Sequence, residues 1–441
     1  MTESIQRLSP DQSNVQSLQN ALNACRGVGG TVVVTPGEWT TGPLNIPSNT
    51  TLRINEGAVI RFLDDPSLYP PLPTRWEGVE CYGYHPLIVV ADAKLVRIEG
   101  RGIFDGSGAR WWSTYRGIRE GRIKAEQVSG TKRLKELNID RSRASGGGGR
   151  ETGFLRPSIL QIRESSQVVV NGPTFRNSPF WTAHVLYSSG VTIRNCKFEN
   201  PVDSPNTDGL NIDSSEYVQV SGCEFNVGDD CLCLKSGSDE DGRRVGRPVR
   251  NVKVRDCRMN HGHGGIVFGS EISGGIEDIR IEDCEMNRTD RGIRIKARRG
   301  RGGYVRRIDI SRLNLTDVPY PLVINAYYRC GITEDEWPAA SDPDERKVDA
   351  GTPSIEQITI ADLTADGVLL GAFIQGLPER PVQQVRLNRW RLSTETAIGP
   401  ASPRIPAMDF AYTAVETTGI HVRHTRDLVI EGWSIDGCSM S

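Results

Sequence analysis

The sequence predicts an all-β fold built as a parallel β-helix, a solenoid whose coils stack on one another. One phrase repeats along the chain: apolar, any, apolar, two polar or small residues, Cys or another compact residue, any, apolar. Its four best copies begin at Val191, Val218, Val252 and Ile279, which places them 27, 34 and 27 residues apart. Alternation rich in Val and Ile is typical of strands, and this spacing leaves little room for a full helix between them.

A second apolar segment follows each copy and strengthens this prediction. These segments begin at Leu210, Leu232, Ile266 and Ile293. Two or three short strands per turn of about 22 to 30 residues, with Gly and Asn at the corners, are typical of a parallel β-helix. Since each coil contacts only its neighbours, a long chain can remain one unit, and we expect a single domain over residues 1–441.

The first element is predicted to be a short helix over about residues 9–27 that covers the open end of the solenoid. Ser9 and Pro10 are followed by apolar residues at helical spacing, namely Val15, Leu18, Leu22 and Cys25. Ser is a common cap, Pro is favoured at the first helical position, and Gly27 stands near the expected end. Terminal repeats need such a cap because one of their faces has no neighbour.

Two loop insertions interrupt the repeats, at about residues 70–86 and 116–150. The first contains Trp76, Tyr82 and Tyr84, and it either stacks on sugar rings or covers the core. The second contains ten Lys or Arg and four Asp or Glu, and it either forms a solvated flexible loop or leans over a cleft to attract an anion. Its basic residues do not interleave with aromatic ones, so we expect no nucleic-acid partner.

Composition limits the kinds of partner and the cellular location that we expect. The net charge is −2, so any attraction to an anion must be local. The longest apolar runs are too short to span a membrane, and the polar first residues lack a signal peptide, which predicts a cytoplasmic protein unless the sequence is a trimmed mature form. Four cysteines share one repeat position and are expected to be stacked buried thiols: Cys196, Cys223, Cys257 and Cys284.

The residues with chemical potential lie in four short phrases that follow the strands at nearly the same offset. These phrases are Asn206–Gly209, Gly228–Cys231, Gly262–Gly265 and Arg294–Lys296. Aligning the second strands places Asp208, Asp230 and Gly264 in one column. Because adjacent strands lie about 4.8 Å apart, Asp208 and Asp230 are expected one coil apart, with Asp229 beside them. In another column stand Asp213, Lys235, Gly269 and Lys296.

This set of side chains suits the hydrolysis of an acidic sugar chain. Three neighbouring carboxylates cannot all ionise cheaply, so one is expected to hold a proton near neutral pH while another activates water. Arg294 and Lys296 lie two residues apart on one strand and so share a face, which suits a uronic acid carboxylate. Taken alone, the Asp pair would also fit a turn or a Ca²⁺ site, and the two cations a solvated strand face.

These phrases resemble the signature of the polygalacturonase family of glycoside hydrolases, glycoside hydrolase family 28. The family phrases Asn-Thr-Asp, Gly-Asp-Asp, Gly-His-Gly and Arg-Ile-Lys are all present. The run from Lys235 to Pro248 resembles the bacterial exo-acting branch. The resemblance implies a right-handed parallel β-helix that hydrolyses α-1,4-galacturonosidic bonds in polygalacturonate or oligogalacturonides, with inversion, exo action, and no cofactor or metal.

The resemblance also implies a role for each site residue. Asp229 would be the general acid, Asp208 and Asp230 would activate water, and His263 would support protonation of the acid. The residues implied to bind substrate are Arg294, Lys296, Asn206, Tyr327 and Tyr328. The predicted partner is an acidic polysaccharide or oligosaccharide, and the sequence leaves the oligomeric state open.

Other functions remain open at the level of the sequence. One is hydrolysis of another uronate-containing pectic glycan, such as rhamnogalacturonan or modified pectin oligomers. Another is a non-catalytic β-helix that only binds polysaccharide. A pectate lyase would share the β-helix but would require Ca²⁺ and an Arg base, so insensitivity to a chelator would exclude it.

Overall fold

The computed structural model describes residues 5–10, 14–141, 148–394, 419–436 and 438–440. The chain divides into two compact units. Unit 1 comprises Met1–Trp76 and Glu80–Asp229, and unit 2 comprises Glu77–Val79 and Asp230–Ser441. Both consist of stacked parallel strands, which confirms the predicted parallel β-helix. The prediction of one continuous domain stays a prediction.

Unit 1 contains three ladders of parallel strands, one for each side of its coils. The first ladder contains β1 (Ile5–Leu8), β2 (Gly30–Val34), β5 (Thr50–Ile54), β10 (Lys94–Glu99), β13 (Ser166–Asn171), β16 (Ser189–Arg194) and β19 (Glu216–Ser221). The second contains β3 (Gly37–Thr41), β6 (Ala58–Phe62), β11 (Ile103–Asp105), β14 (Thr174–Arg176), β17 (Lys197–Glu199) and β20 (Glu224–Asn226). The third contains β4 (Leu44–Asn45), β9 (Ile88–Ala91), β12 (Leu160–Arg163), β15 (Ala183–Leu186) and β18 (Leu210–Asp213).

The core of unit 1 follows from the alternation of the strands, because every second side chain points inward. Phe104, Phe175, Phe198 and Phe225 hold equivalent positions on successive coils, and neighbouring rings stack with centroids 5.3, 5.6 and 4.8 Å apart. The stacked thiols are confirmed as well. Cys196 and Cys223 are fully buried, and each Sγ donates to the carbonyl two residues earlier, at 3.2 and 3.5 Å. The repeated cysteine therefore adds a second, weak hydrogen bond to a corner carbonyl that already accepts from a backbone amide of the preceding coil.

Unit 2 is built in the same way but from longer strands. One group contains β22 (Val249–Arg255), β23 (Arg258–His261), β25 (Ile276–Asn287), β27 (Tyr304–Thr316), β29 (Ser354–Ala365), β31 (Val382–Leu392), β33 (Thr425–Glu431), β34 (Trp433–Ile435) and β35 (Cys438–Met440). The other ladder contains β21 (Leu232–Lys235), β24 (Ile266–Phe268), β26 (Arg291–Lys296), β28 (Tyr320–Asn325), β30 (Ala372–Gln375) and β32 (Ile420–Arg423). The four longest strands, β25, β27, β29 and β31, turn without ending because each holds two left-handed residues, for example Asp278 with φ 56° and Asp283 with φ 57° in β25.

Few helices accompany the strands. The α-helices are α1 (Ser17–Ala24), α2 (Gly108–Arg119), α3 (Thr131–Leu137), α4 (Asp239–Val245) and α5 (Trp337–Ser341), and 3₁₀ helices span Pro66–Leu68, Ala125–Gln127, Ile139–Arg141 and Arg150–Thr152. Among the described residues, none of these helices has the length and apolar character needed to cross a membrane.

The N-terminal helix exists, but its predicted start is wrong. α1 begins at Ser17, so Pro10 precedes the helix and does not occupy its first turn. Asn14 forms a local turn, in which its Oδ1 accepts from the amide of Gln16 at 2.9 Å and Ser17 Oγ accepts from the amide of Asn14 at 2.8 Å. Side chains such as Asn14 compete with the helix for backbone groups in this way.

Residues 70–86 are predicted as a loop, but they form a β-hairpin. β7 (Pro71–Trp76) and β8 (Val79–Tyr84) make a two-stranded sheet, with Glu77 in a left-handed conformation at the turn. Trp76 stacks on Phe180 with ring centroids 4.6 Å apart, and Tyr84 is buried. Two of the aromatic side chains therefore serve to cover the core of unit 1, and Tyr82 remains partly exposed.

The basic insertion at 116–150 is also more regular than predicted. The end of α2, α3 and the 3₁₀ helices lie within it, and residues 142–147 fall outside the described residues. Leu134 on α3 is fully buried, and the preceding turn of α2 buries Trp111 and Trp112. The sequence prediction gave weight to charge, whereas these few buried apolar residues anchor the two helices.

Candidate active site

In unit 1, two neighbouring turns carry the predicted carboxylates Asp208 and Asp229. Thr207 Oγ1 accepts a hydrogen bond from the amide of Gly228 at 3.2 Å, which ties the Asn-Thr-Asp turn to the Gly-Asp-Asp turn. A Cβ atom on Gly228 would lie 2.4 Å from the carbonyl oxygen of Ser204, so only glycine permits this close approach. Asp208 is buried and Asp229 is half-buried.

Asn206, which the resemblance places among the substrate-binding residues, is held in a strained backbone conformation. Its φ is 57°, in the left-handed region, and its Oδ1 accepts from Arg156 Nη2 at 2.7 Å. Arg156 is fully buried, and the carbonyls of Pro179 and Pro205 accept from its Nη1. The conformation of the turn is therefore fixed by a buried cation, which keeps the following Asp208 in place.

In unit 2, Asp230 receives two cations. Lys296 Nζ donates to Asp230 Oδ2 at 2.7 Å, and Arg294 Nη1 lies 3.7 Å from Asp230 Oδ1. All three side chains are buried, with exposures of 2% for Asp230, 5% for Arg294 and 6% for Lys296. The strand registers bring them together, because Cys233, Val267 and Arg294 pair in one column across β21, β24 and β26, as the sequence predicts.

The protonation of Asp230 differs from the expectation of mutually raised carboxyl pKa values. Burial alone would raise the pKa of Asp230, but the charges of Lys296 and Arg294 outweigh it and hold the pKa well below its usual range. Burial likewise would lower the pKa of Lys296, whereas the charge of Asp230 raises it. Asp230 is therefore ionised at neutral pH, which suits a base and not an acid.

Of the two adjacent tyrosines, only Tyr328 joins this cluster. Its ring centroid lies 5.2 Å from the Arg294 guanidinium carbon and 5.3 Å from Lys296 Nζ. Tyr327 packs with Ala326 and Leu377 in an apolar cluster and lies under the Arg299 guanidinium. Side chains of consecutive residues point apart, so the sequence could narrow the choice to this pair but not decide between its members.

The Gly-His-Gly phrase contributes space beside Asp230. The amide of Cys231 donates to the carbonyl of Gly264 at 2.8 Å, which places Gly264 next to Asp230 in the ladder. A Cβ atom at Gly264 would lie 3.1 Å from Asp230 Oδ1 and 3.7 Å from Arg294 Cδ. His263 is exposed in the turn before β24.

A second buried ion pair stands in the same ladder of unit 2, and the sequence reasoning did not assign it a role. Lys235 Nζ donates to Glu271 Oε2 at 2.8 Å and to the carbonyl of Gly269 at 3.3 Å. Burial would raise the pKa of Glu271, but the charge of Lys235 outweighs it and lowers the pKa. Lys235 belongs to a predicted column, whereas Glu271 carries no sequence signal other than its position two residues after Gly269.

Unit 1 contains a buried ion pair of a different kind. Arg75 Nη1 donates to Asp213 Oδ1 at 2.8 Å, and both side chains are fully buried. His184 Nε2 lies 3.2 Å from Asp213 Oδ2, and its Nδ1 lies 3.1 Å from Gln161 Nε2. His184 therefore links Gln161 to the carboxylate of Asp213.

Comparison with known proteins agrees with this geometry. The family model described as Glycosyl hydrolases family 28 matches residues 144–336, a segment that contains all four signature phrases. The chain is similar to glycosyl hydrolase family 28 over the segment that carries these site residues. It is therefore a glycoside hydrolase, as the clustered carboxylates predict.

Three relatives illustrate the range of family 28 proteins that the chain resembles. It is 29% identical over 379 residues to a probable polygalacturonase of Vitis vinifera, covering 83% of this chain and 68% of that protein. It is 24% identical over 368 residues to an endo-polygalacturonase of Pectobacterium carotovorum subsp. carotovorum, covering 81% and 79%. The structure of an exopolygalacturonase from Thermotoga maritima superposes with a TM-score of 0.73 at 28% identity, covering 95% of this chain and 88% of that one.

Proposed function

We propose that the protein hydrolyses α-1,4-galacturonosidic bonds in polygalacturonate and oligogalacturonides, releasing galacturonate from a chain end with inversion of configuration. The observation that carries the substrate class is the cluster in unit 2, where two buried cations, Arg294 and Lys296, lie beside Asp230. Buried charge is costly unless it is compensated. A uronate carboxylate is an acceptor that adjacent Arg and Lys side chains are suited to bind.

The proposed mechanism divides the work among three carboxylates. Asp230, which its cations hold ionised, is suited to accept a proton from the attacking water together with Asp208. Asp229, half-buried on the turn after β20, is assigned the role of the acid that protonates the leaving oxygen. His263 would act on the protonation of Asp229, and Tyr328 would help to orient the sugar beside Arg294 and Lys296.

Two observations support exo action over endo action. The run from Lys235 to Pro248 resembles the exo-acting branch of the family, and the Thermotoga maritima protein with which the chain superposes is described as an exopolygalacturonase. Relatives of similar identity include an endo-acting enzyme, so the mode of attack is the finer part of the proposal.

Product analysis tests this proposal. The protein is incubated with polygalacturonate and with trigalacturonate, with and without a chelator, and the products and the viscosity are followed from the first minutes. From polygalacturonate we expect galacturonate as the sole small early product and a slow loss of viscosity, and from trigalacturonate equal amounts of galacturonate and digalacturonate. The chelator should have no effect. In ¹H NMR spectra, inversion requires the β-anomer of galacturonate to appear first.

Other outcomes assign the alternatives. A ladder of mixed oligomers would retain the hydrolase and refute exo action, and an α-anomer appearing first would refute inversion. Release only from rhamnogalacturonan or modified pectin oligomers would identify another pectic glycan as the substrate. Binding of polygalacturonate without any release would support a polysaccharide-binding β-helix, and loss of activity with a chelator would favour a lyase.

A further inference from the structure

The turn that carries Asp208 is long for a connection between two strands of the coil. It spans residues 200–209 between β17 and β18, whereas residues 177–182 make the same connection in the preceding coil. Ser204 and Thr207 stabilise it internally, with their hydroxyl oxygens 2.6 Å apart. Ordering a longer connection costs more conformational entropy, so contacts with other elements are needed to hold it in one conformation.

Helix α2 supplies two such contacts from consecutive residues. In the first, the ring centroid of Tyr115 lies 4.0 Å from the guanidinium carbon of Arg156, whose Nη2 donates to Asn206 Oδ1 at 2.7 Å. In the second, Arg116 Nη2 donates to the carbonyl of Asp203 at 2.5 Å and to its Oδ2 at 3.0 Å. Both contacts reach the turn just ahead of its catalytic carboxylate.

The first contact is buried and the second is exposed. Arg156 is fully buried, and the ring centroid of Phe180 also lies 5.1 Å from its guanidinium carbon. A cation–π contact is strongest where the cation is removed from water. Tyr115 should therefore contribute more to the turn than the ion pair of the second contact, whose side chains are 42% and 74% exposed.

The helix is fixed to the body of unit 1, so it can act as a support. Trp112 Nε1 donates to the carbonyl of Ser178 at 2.9 Å, and Trp111 stacks on Phe154 with ring centroids 5.7 Å apart. Both tryptophans are buried. Tyr115 follows Trp111 by one turn and lies on the same face of the helix, so the anchored face also presents the ring to the turn.

We propose that α2 is a positioning element of the active site, which holds Asp208 where it can act on the attacking water. Tyr115 does so through Arg156, and Arg116 does so through direct contact with the turn. This inference rests on the proposed function, and it gives the start of the basic insertion a role in catalysis. A displacement of a catalytic group by about 1 Å can cost about a hundredfold in rate, so the effect should appear in kcat.

Hydrolysis of trigalacturonate and hydrogen exchange test this role in parallel. Tyr115→Leu removes the ring and keeps an apolar side chain, whereas Tyr115→Phe keeps the ring. Arg116→Gln removes the charge of the second contact. Arg119→Gln is the matched control, because Arg119 lies on the same helix and pairs with Glu151, outside the turn. The readouts are kcat, KM, the urea midpoint and the amide exchange rates of residues 203–209.

We expect Tyr115→Leu to lower kcat by about tenfold or more with little change in KM, and to speed amide exchange in residues 203–209 by a similar factor. Tyr115→Phe should retain most of kcat. Arg116→Gln should lower kcat about twofold to fivefold, as an exposed pair does, and Arg119→Gln should leave it unchanged. The urea midpoints should show every variant fully folded under the assay conditions.

Three results would overturn the role of α2. They are an unchanged kcat in Tyr115→Leu, a loss that Tyr115→Phe shows equally, and faster exchange throughout unit 1 instead of in residues 203–209. Should Tyr115→Leu fail to fold, the comparison of Arg116→Gln with Arg119→Gln decides, and equal kcat values would refute the role. If the wild-type protein releases nothing from trigalacturonate, the proposed function fails, whereas the exchange rates still test whether α2 supports the turn.

Discussion

Asp213 in unit 1 and Asp230 in unit 2 are both buried carboxylates, but their charge balance differs. Asp213 contacts one guanidinium, that of Arg75, and the imidazole of His184. Asp230 faces two cations, Lys296 and Arg294. The pair with Arg75 is suited to hold structure, whereas the two-cation cluster around Asp230 is suited to bind an anion. Burial and a lowered pKa alone therefore do not identify a functional carboxylate, and the number of cations beside it helps to distinguish the two.

The largest effect that we expect on stability is that of Asp213→Asn. The substitution leaves the Arg75 guanidinium buried without a charged partner, which typically costs about 3–5 kcal/mol. Urea unfolding measures the loss. If the midpoint hardly changes while hydrolysis falls, Asp213 belongs to the reaction and the comparison is reversed.

Lys296→Met makes the charge balance of Asp230 resemble that of Asp213. One cation, Arg294, still faces the carboxylate, so the fold is expected to persist. We expect kcat/KM on trigalacturonate to fall by about 100-fold or more, the usual loss for a buried charged contact. Lys253→Met, which changes an exposed lysine on β22, is the matched control. Normal turnover by a variant that unfolds as readily as Asp213→Asn would assign Lys296 to stability alone.

The fold and the site differ in how far the sequence could predict them. The repeat phrase was enough to predict the ladders, because apolar residues at every second position give a strand one buried face wherever the strand lies in the chain. The column of Cys233, Val267 and Arg294 was also correct, since strand register fixes it. The hairpin at β7 and β8 was missed because its aromatic residues are explained by contacts with distant residues such as Phe180.

Electrostatics was the least predictable part of the site. From the sequence, three neighbouring carboxylates suggest raised pKa values, but the low pKa of Asp230 depends on Lys296, which lies 66 residues away and reaches it only through the stacking of coils. Glu271 was missed for the same reason. Its partner Lys235 is 36 residues away and no local pattern links them.

The pH dependence of unfolding should separate the two carboxylates. Burial would raise the pKa of Asp213, but the charge of Arg75 and the hydrogen bond from His184 lower it to about 2 from the ordinary value of 3.8. A carboxyl whose pKa is lowered in the folded state stabilises the fold at any pH above its pKa in the unfolded chain. This contribution is lost as the pH falls towards its pKa in the folded state. Between about pH 4 and pH 2 this carboxyl should cost the fold about 2 kcal/mol.

The measurement is the unfolding free energy of wild type and Asp213→Asn from pH 5 to pH 2. The difference between the two proteins should shrink as the pH falls through that window, because protonated Asp213 resembles Asn. A constant difference across the window would show that Asp213 does not titrate there, and it would remove the argument that Arg75 holds the carboxyl ionised.

A smaller effect is expected from Tyr328, whose ring contacts the two cations of the cluster around Asp230 and not a carboxylate. Tyr328→Leu removes a ring that lies 5.2 Å from Arg294 and 5.3 Å from Lys296. Cation–π contacts are worth about 0.5–2 kcal/mol, so kcat/KM should fall about threefold to thirtyfold. Tyr328→Phe keeps the ring face and should retain most of the activity. Equal losses in both variants would assign the effect to the hydroxyl group.

The smallest effect concerns an exposed pair, which sets the baseline for the comparison. Arg389 binds Asp362 in a fork, with Nε at 2.6 Å from Oδ1 and Nη2 at 2.8 Å from Oδ2, but the two side chains are 64% and 40% exposed. In water the attraction is weak, and ordering two long side chains offsets it. We therefore expect Arg389→Gln to leave the urea midpoint unchanged within error at physiological salt. If its effect on the midpoint approached that of Asp213→Asn and persisted at high salt, the geometry of an ion pair would matter more than its burial. The contrast between Asp213 and Asp230 would then have to be explained by the geometry of their contacts and not by the number of cations beside them.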